Sequence, residues 1–216
     1  MKRLFVKICG ITSTEDARVA VEAGADALGF VFFPMSPRKV APERAAAITR
    51  ELPPFVLRVG VFVNAPREEM ARVADAVGLD LLQLHGEEPP EALAGLPRRA
   101  IKAVRVDRGF RSEEAIRFAG HAAGLLVDTR LPGETQMPGG TGVSFDWRLV
   151  KGLAEQVPFL VLAGGLGPAN VAEAVRAVRP HAVDVSSGVE TLPGRKDAAK
   201  IRAFVAAARA AEADAA

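Results

Sequence analysis

Short apolar runs alternate with alanine-rich amphipathic stretches along the whole chain. The apolar runs are Leu4–Ile8, Ala27–Phe32, Phe55–Val63, Leu79–Leu84, Ala100–Val104, Gly124–Asp128, Phe159–Ala163 and Ala182–Ser186. Most are continuously apolar instead of alternating, which is the signature of parallel strands covered on both faces. Helical patterns fill the intervals: Glu15–Ala23, Pro42–Arg50, Arg67–Val77, a short one near Glu88–Ala94, Ser112–Ala119, another short one after Phe145, Pro168–Val178 and Lys196–Ala213. Pro42 suits a first helical turn because that position needs no backbone N–H. Eight strand–helix units in 216 residues, about 27 each, predict one closed (β/α)8 (TIM) barrel with parallel strands over residues 1–216. A doubly wound open sheet is the structural alternative. The alanine-rich tail, Ala206 to Ala216, reads as a fraying helix end.

Composition narrows the class. Hydrophobic residues make up 49% and charged residues 25%, an ordinary globular balance. The single Cys leaves no intramolecular disulfide and no cysteine-cluster metal site, and fits a reducing cytosol. A net charge of +2 comes from 28 basic and 26 acidic residues spread along the chain. No basic run interleaved with aromatics stands out, so no nucleic-acid partner is expected, while an anionic small molecule fits. No apolar run approaches the length of a bilayer span, and Glu15 and Asp16 soon interrupt the first one, so neither membrane insertion nor a signal peptide is expected. The expectation is a soluble cytoplasmic protein.

Barrel enzymes gather their chemistry at the carboxyl ends of the strands. Cys9 ends the first run and is followed by Gly10, which permits close backbone approach by a ligand. A lone cysteine is ordinarily a small buried hydrophobe, but a thiolate at a strand end can act as nucleophile or base. Asp128 ends the sixth run, where a loop-capping role competes with that of an acid facing Cys9. Three glycine-rich turns follow the last three strands: Gly139–Gly142, Ala163–Pro168 and Val185–Glu190. After strands 7 and 8 such turns often hold phosphate on backbone N–H groups, and a helix opening near Pro168 and Asn170 adds its dipole. Arg38, in a proline-stiffened loop after strand 2, has the fork that grips carboxylates. Gln83 and His85 end strand 4 and are expected to line the same mouth, with His85 orienting substrate or a neighbour instead of binding metal. Asp184, in strand 8, reads either as a buried structural carboxylate or as a substrate-orienting one. His121 and His181 precede strands and belong at the opposite end.

Taken together, the segments Lys7–Thr12 (KICGIT), Ala27–Phe33 with Ser36–Arg38 (ALGFVFF, SPR), Val59–Asn64 (VGVFVN), Leu82–Glu87 (LQLHGE), Val127–Thr129 (VDT), Gly139–Gly142 (GGTG), Ala163–Leu166 (AGGL) and Asp184–Glu190 (DVSSGVE) resemble the phosphoribosylanthranilate isomerase family. The resemblance runs from strand 1 to strand 8 in order. It implies a cofactor-free, metal-free Amadori rearrangement in tryptophan biosynthesis, with Cys9 as general base and Asp128 as general acid. It further implies that Arg38 binds the anthranilate carboxylate, and that backbone at Gly142, Gly164, Gly165, Ser187 and Gly188 binds phosphate. His85 and Asp184 match positions near the substrate. The implied partner is the small molecule phosphoribosylanthranilate, and the assembly a monomer or homodimer. Two rivals remain. The histidine-pathway isomerase performs the same rearrangement on a bisphosphate, but that family places Asp where this chain has Cys9. A non-catalytic phosphosugar-binding module would need the glycine turns without the Cys9/Asp128 pair.

Overall fold

Successive side chains of a strand point to opposite faces, so a strand buried on both faces must be apolar throughout. The computed structural model, which describes residues 3–129 and 144–214, shows this division. Val6 and Ile8 pack outward into the main core beneath the helices. Cys9, Val31 and Val61 form one inward cluster, and Ile101, Ala103, Leu126, Val161, Ala163 and Ala182 form another. The eight strands are β1 (Phe5–Cys9), β2 (Ala27–Val31), β3 (Leu57–Phe62), β4 (Leu81–Leu84), β5 (Arg99–Val106), β6 (Gly124–Thr129), β7 (Leu160–Leu162) and β8 (Ala182–Val185). They pair in chain order and all in parallel, and β8 returns to β1 in register from Phe5↔Ala182 to Ile8↔Val185, closing the barrel. The open-sheet alternative is thereby excluded.

Helices α1 (Thr14–Glu22), α2 (Pro42–Arg50), α3 (Arg67–Val77), α4 (Ser112–Ile116), α5 (Val171–Val178) and α6 (Ala198–Asp214) cover the outside. Local chemistry sets several ends. Ser13 caps α1 by accepting from the Asp16 N–H at 3.1 Å, and Gly78 ends α3 in the left-handed conformation at φ 71°. Among the described residues no helix is long and apolar enough to cross a membrane.

Some expected boundaries move. Phe55 is 95% exposed in the turn before β3, so that strand starts at Leu57. The short helices expected after β4 and β6 are 3₁₀ turns, Pro90–Leu93, Trp147–Val150 and Leu153–Glu155. Pro89 and Pro90 have no N–H to offer, and Gly152 at φ 78° interrupts the second region. Lys196 does not open the last helix. It lies in β10 (Arg195–Lys196), the second half of a short antiparallel hairpin with β9 (Glu190–Leu192).

The tail is also corrected. Ala208 and Ala211 are fully buried, the Leu4 N–H donates to Glu212 Oε1 at 2.6 Å, and Arg209 donates to the Leu4 carbonyl. The start of β1 has backbone groups that no strand partner satisfies, and this end of α6 satisfies them. Up to Glu212 the tail is docked, not frayed.

Candidate active site

The carboxyl ends of the strands bring most of the expected residues to one mouth. Asp128, at the end of β6, is 7% exposed. Its Oδ1 accepts from the Thr129 N–H at 2.8 Å, and its Oδ2 lies 3.2 Å from His85 Nε2. That second approach is close but off the line a hydrogen bond needs, so among the described residues His85 Nε2 has no hydrogen-bond partner. His85 Nδ1 is held 2.9 Å from Gln83 Nε2. Gln83 therefore orients the ring, and the ring stands against the Asp128 carboxylate.

Asp128 and Asp184 share a cleft with the turns after β7 and β8, lined also by Gly164, Gly165, Ser186 and Ser187. Glycine is demanded here by contact. A Cβ on Gly164, which sits at φ 83°, would lie 2.4 Å from Thr129 Oγ1 and 3.0 Å from Asp128 Oδ1. A Cβ on Gly188 would lie 1.9 Å from the Leu166 carbonyl oxygen, so the two turns touch backbone to backbone. Asn170 fixes the first turn. Its Oδ1 accepts from the Gly167 N–H at 2.8 Å and its Nδ2 donates to the Gly165 carbonyl at 3.0 Å. Among the described residues the loop N–H groups of Gly164 and Gly165 donate to no other backbone group. The helix expected from Pro168 begins only at Val171, because Pro168 to Asn170 form the turn. Gly142 lies outside the described residues.

Arg38 reaches the site differently from expectation. Its guanidinium already grips a carboxylate of the protein: Nε donates to Glu190 Oε1 at 2.9 Å and Nη2 to Oε2 at 2.8 Å. Gly10, at φ 76°, lets the arginine stem cross the end of β1, since a Cβ there would lie 2.9 Å from Arg38 Cδ. Glu190 Oε1 also accepts from Lys196 Nζ at 2.8 Å. Burial works against the Glu190 charge, but the bonds from Arg38 and Lys196 outweigh it and hold its carboxyl below the usual range. Burial likewise lowers the Lys196 ammonium, against the pull of Glu190.

Cys9 is 7% exposed, and its Sγ and the Lys7 stem both border the bare backbone of Gly29. Asp184 accepts from Lys7 Nζ at 2.9 Å inside the barrel, both side chains being under a tenth exposed. Burial pushes the Cys9 thiol up, and the Lys7 ammonium opposes that shift. Lys7, Glu190 and Lys196 were missed as functional residues by the sequence reading. For Lys7 a signal existed: it stands two residues before Cys9 and so shares its inward face, a charge in an otherwise apolar strand. Among the described residues no three His, Cys, Asp or Glu converge as metal ligands.

Comparison with known proteins relates the sequence and the fold to one family. Residues 6–207 match the model of the N-(5′-phosphoribosyl)anthranilate isomerase family. An N-(5′-phosphoribosyl)anthranilate isomerase of Pseudomonas fluorescens (strain Pf0-1) is 54% identical over 210 residues, covering 97% of this chain and 100% of the relative. The crystal structure of the Thermotoga maritima phosphoribosyl anthranilate isomerase superposes with TM-score 0.89 at 48% identity, over 96% of this chain and 100% of that one. A phosphoribosyl anthranilate isomerase solved in complex with reduced 1-(o-carboxyphenylamino)-1-deoxyribulose 5-phosphate gives TM-score 0.86 at 46% identity, over 96% and 100% of the two chains. The chain belongs to the N-(5′-phosphoribosyl)anthranilate isomerase family.

Proposed function

We propose that the mouth of this barrel converts N-(5-phosphoribosyl)anthranilate to 1-(2-carboxyphenylamino)-1-deoxyribulose 5-phosphate, in tryptophan biosynthesis, with Asp128 as acid and Cys9 as base. The observation that carries the reading is the shared cleft: Asp128 and Asp184 line it beside the glycine turns, and Asp184 is joined through Lys7 to the end of β1 that carries Cys9. Asp128 delivers a proton to the furanose ring oxygen, and the ring opens to a Schiff base. The Cys9 thiolate takes the C2′ proton, giving an enolamine that tautomerises to the ketose. The change is internal, so no oxidant or cofactor enters the balance.

The substrate phosphate goes to the turns after β7 and β8, on N–H groups of Gly164, Gly165, Ser187 and Gly188, with Gly142 expected to join them. The anthranilate carboxylate goes to Arg38. Glu190 occupies the Nε–Nη2 edge of that guanidinium, so the ligand is met by the remaining Nη1 side. His85 orients Asp128, and Asp184 orients the sugar with the oxygen that Lys7 does not use. A cytoplasmic monomer or homodimer goes with this reading; a related Thermotoga maritima isomerase is dimeric, and sedimentation of this chain distinguishes the two states.

The test is turnover of freshly made phosphoribosylanthranilate, followed by loss of its fluorescence. Each proton shuttle contributes roughly 10²- to 10⁴-fold. Cys9→Ser and Asp128→Asn are expected to lose that much in kcat and still bind a reduced product analogue. Turnover that survives both substitutions would overturn the acid–base assignment. Absence of wild-type turnover with intact binding would favour the phosphosugar-binding alternative.

A further inference from the structure

A general base made of a buried thiol has an electrostatic difficulty. Removing the sulfur from water favours the neutral thiol, whereas only the thiolate accepts a proton. The site must therefore supply a cation close to Cys9. Two buried ammonium groups act on the sulfur, Lys7 from its own strand and, as the weaker influence, Lys196 from β10.

The two are not equivalent. Lys196 Nζ is committed to Glu190 at 2.8 Å and to the Ser186 carbonyl at 3.2 Å. Lys7 and Cys9 project from the same face of β1, and both fold across the bare backbone of Gly29 on β2, with which Cys9 is in register. A Cβ on Gly29 would lie 2.6 Å from Cys9 Sγ and 3.1 Å from Lys7 Cε. The missing side chain thus creates the space in which stem and sulfur meet. Asp184 holds the ammonium from the β8 side at 2.9 Å.

We propose that Lys7 is a positioning residue for the isomerisation, its ammonium offsetting part of the burial cost of the Cys9 thiolate while Asp184 holds Lys7 in place. This rests on Cys9 being the base. Burial opposes the Lys7 charge, but Asp184 and Cys9 together overcome it and keep the group protonated across the working range of pH. The other charges around the sulfur are balanced. Arg38, from the loop after β2, and Lys196 share the Glu190 carboxylate, while Asp128 and His85 face each other from β6 and the end of β4. A salt bridge serving only the barrel core would need Lys7 and Asp184 but would be indifferent to the sulfur.

The composition makes the test clean. Cys9 is the only cysteine and the chain contains no tyrosine, so ultraviolet thiolate absorbance titrates one group without tyrosinate overlap, with Cys9→Ser as baseline. Replacing both members of the buried pair, Lys7→Met with Asp184→Asn, leaves no stranded charge and protects folding. In this double variant the titration midpoint should rise, leaving about tenfold less thiolate below the midpoint for each pH unit of rise. Asp184→Asn alone should move the midpoint less than the double variant does, because it removes an anion on the thiol's side of the barrel together with the carboxylate that holds Lys7. Lys7→Met should lower kcat with little change in KM and move the acid limb of its pH profile upward with the titration. Midpoints that do not move in either titrated variant would overturn the proposal even if Cys9→Ser abolishes turnover. If instead Cys9→Ser stays active while the midpoints shift as stated, Lys7 tunes the thiol and it is the assignment of Cys9 as base that fails.

Discussion

Replacing Glu190 with glutamine keeps the shape of the side chain and removes its charge. In the native protein this carboxylate holds two cations, Arg38 through bonds of 2.9 and 2.8 Å and Lys196 through one of 2.8 Å. The Lys196 side chain is fully enclosed and that of Arg38 is 12% exposed. Breaking a buried ion pair from one side costs about 3–5 kcal/mol, mostly because the remaining charge is stranded. Arg38 has a partly exposed stem that can tip its head toward water, so about 3 kcal/mol is expected. For a chain of this size that corresponds to a Tm lower by roughly 6–12 °C. Urea unfolding checks it, with parallel slopes showing that only stability has changed. The Glu190→Gln/Lys196→Met double variant should recover part of the loss, since the enclosed ammonium is gone. The pH dependence has a definite sign. The folded-state carboxyl is held below its ordinary range, so its contribution is fully present above the unfolded value and fades as pH falls through the folded one. The gap between wild type and Glu190→Gln should therefore close on acidification. A loss below about 1 kcal/mol, the range of an exposed pair, or no recovery in the double variant, would refute the reasoning.

Two further outcomes follow from contacts far from that pair. Gly188→Ala must separate the turns after β7 and β8, because its Cβ would lie 1.9 Å from the Leu166 carbonyl oxygen. Affinity for the reduced product analogue should fall at least about tenfold, or roughly 1.4 kcal/mol, by calorimetry, and an unchanged Kd would count against the phosphate assignment. Glu212→Ala removes the acceptor of the buried Leu4 N–H and should cost about 1–3 kcal/mol in thermal unfolding, with turnover intact at lower temperature.

The barrel and the location of the candidate site were legible in the sequence because both depend on local pattern. Continuous apolar strands followed by helices in eight units require parallel strands covered on both faces, and their carboxyl ends then mark the expected mouth, while closure itself came from β8 returning to β1. Cys9, Asp128, His85 and the turns at Gly164 and Ser187 lie where strand ends put them. Errors collect where local pattern is weak. Pro89 and Pro90 shorten an expected helix to a 3₁₀ turn, and a run of alanines carries no periodic signal to show that Ala208 and Ala211 are buried.

The sequence by itself determined the eight strand–helix units, the strand ends expected to carry chemistry and the side chains proposed to move protons. These follow from hydrophobic periodicity and from residue type, both read over a few neighbouring positions. Only the tertiary structure decided the pairing of charges. Arg38 meets Glu190 across 152 residues, and Lys7 meets Asp184 across 177. Periodicity places each of these residues on a strand or loop, but which buried cation takes which carboxylate depends on barrel closure, which brings β8 and the hairpin after it against β1 and the loop after β2. The same closure sets Lys7 beside Cys9 over Gly29, a contact that depends on the register of two strands and on the absence of one side chain.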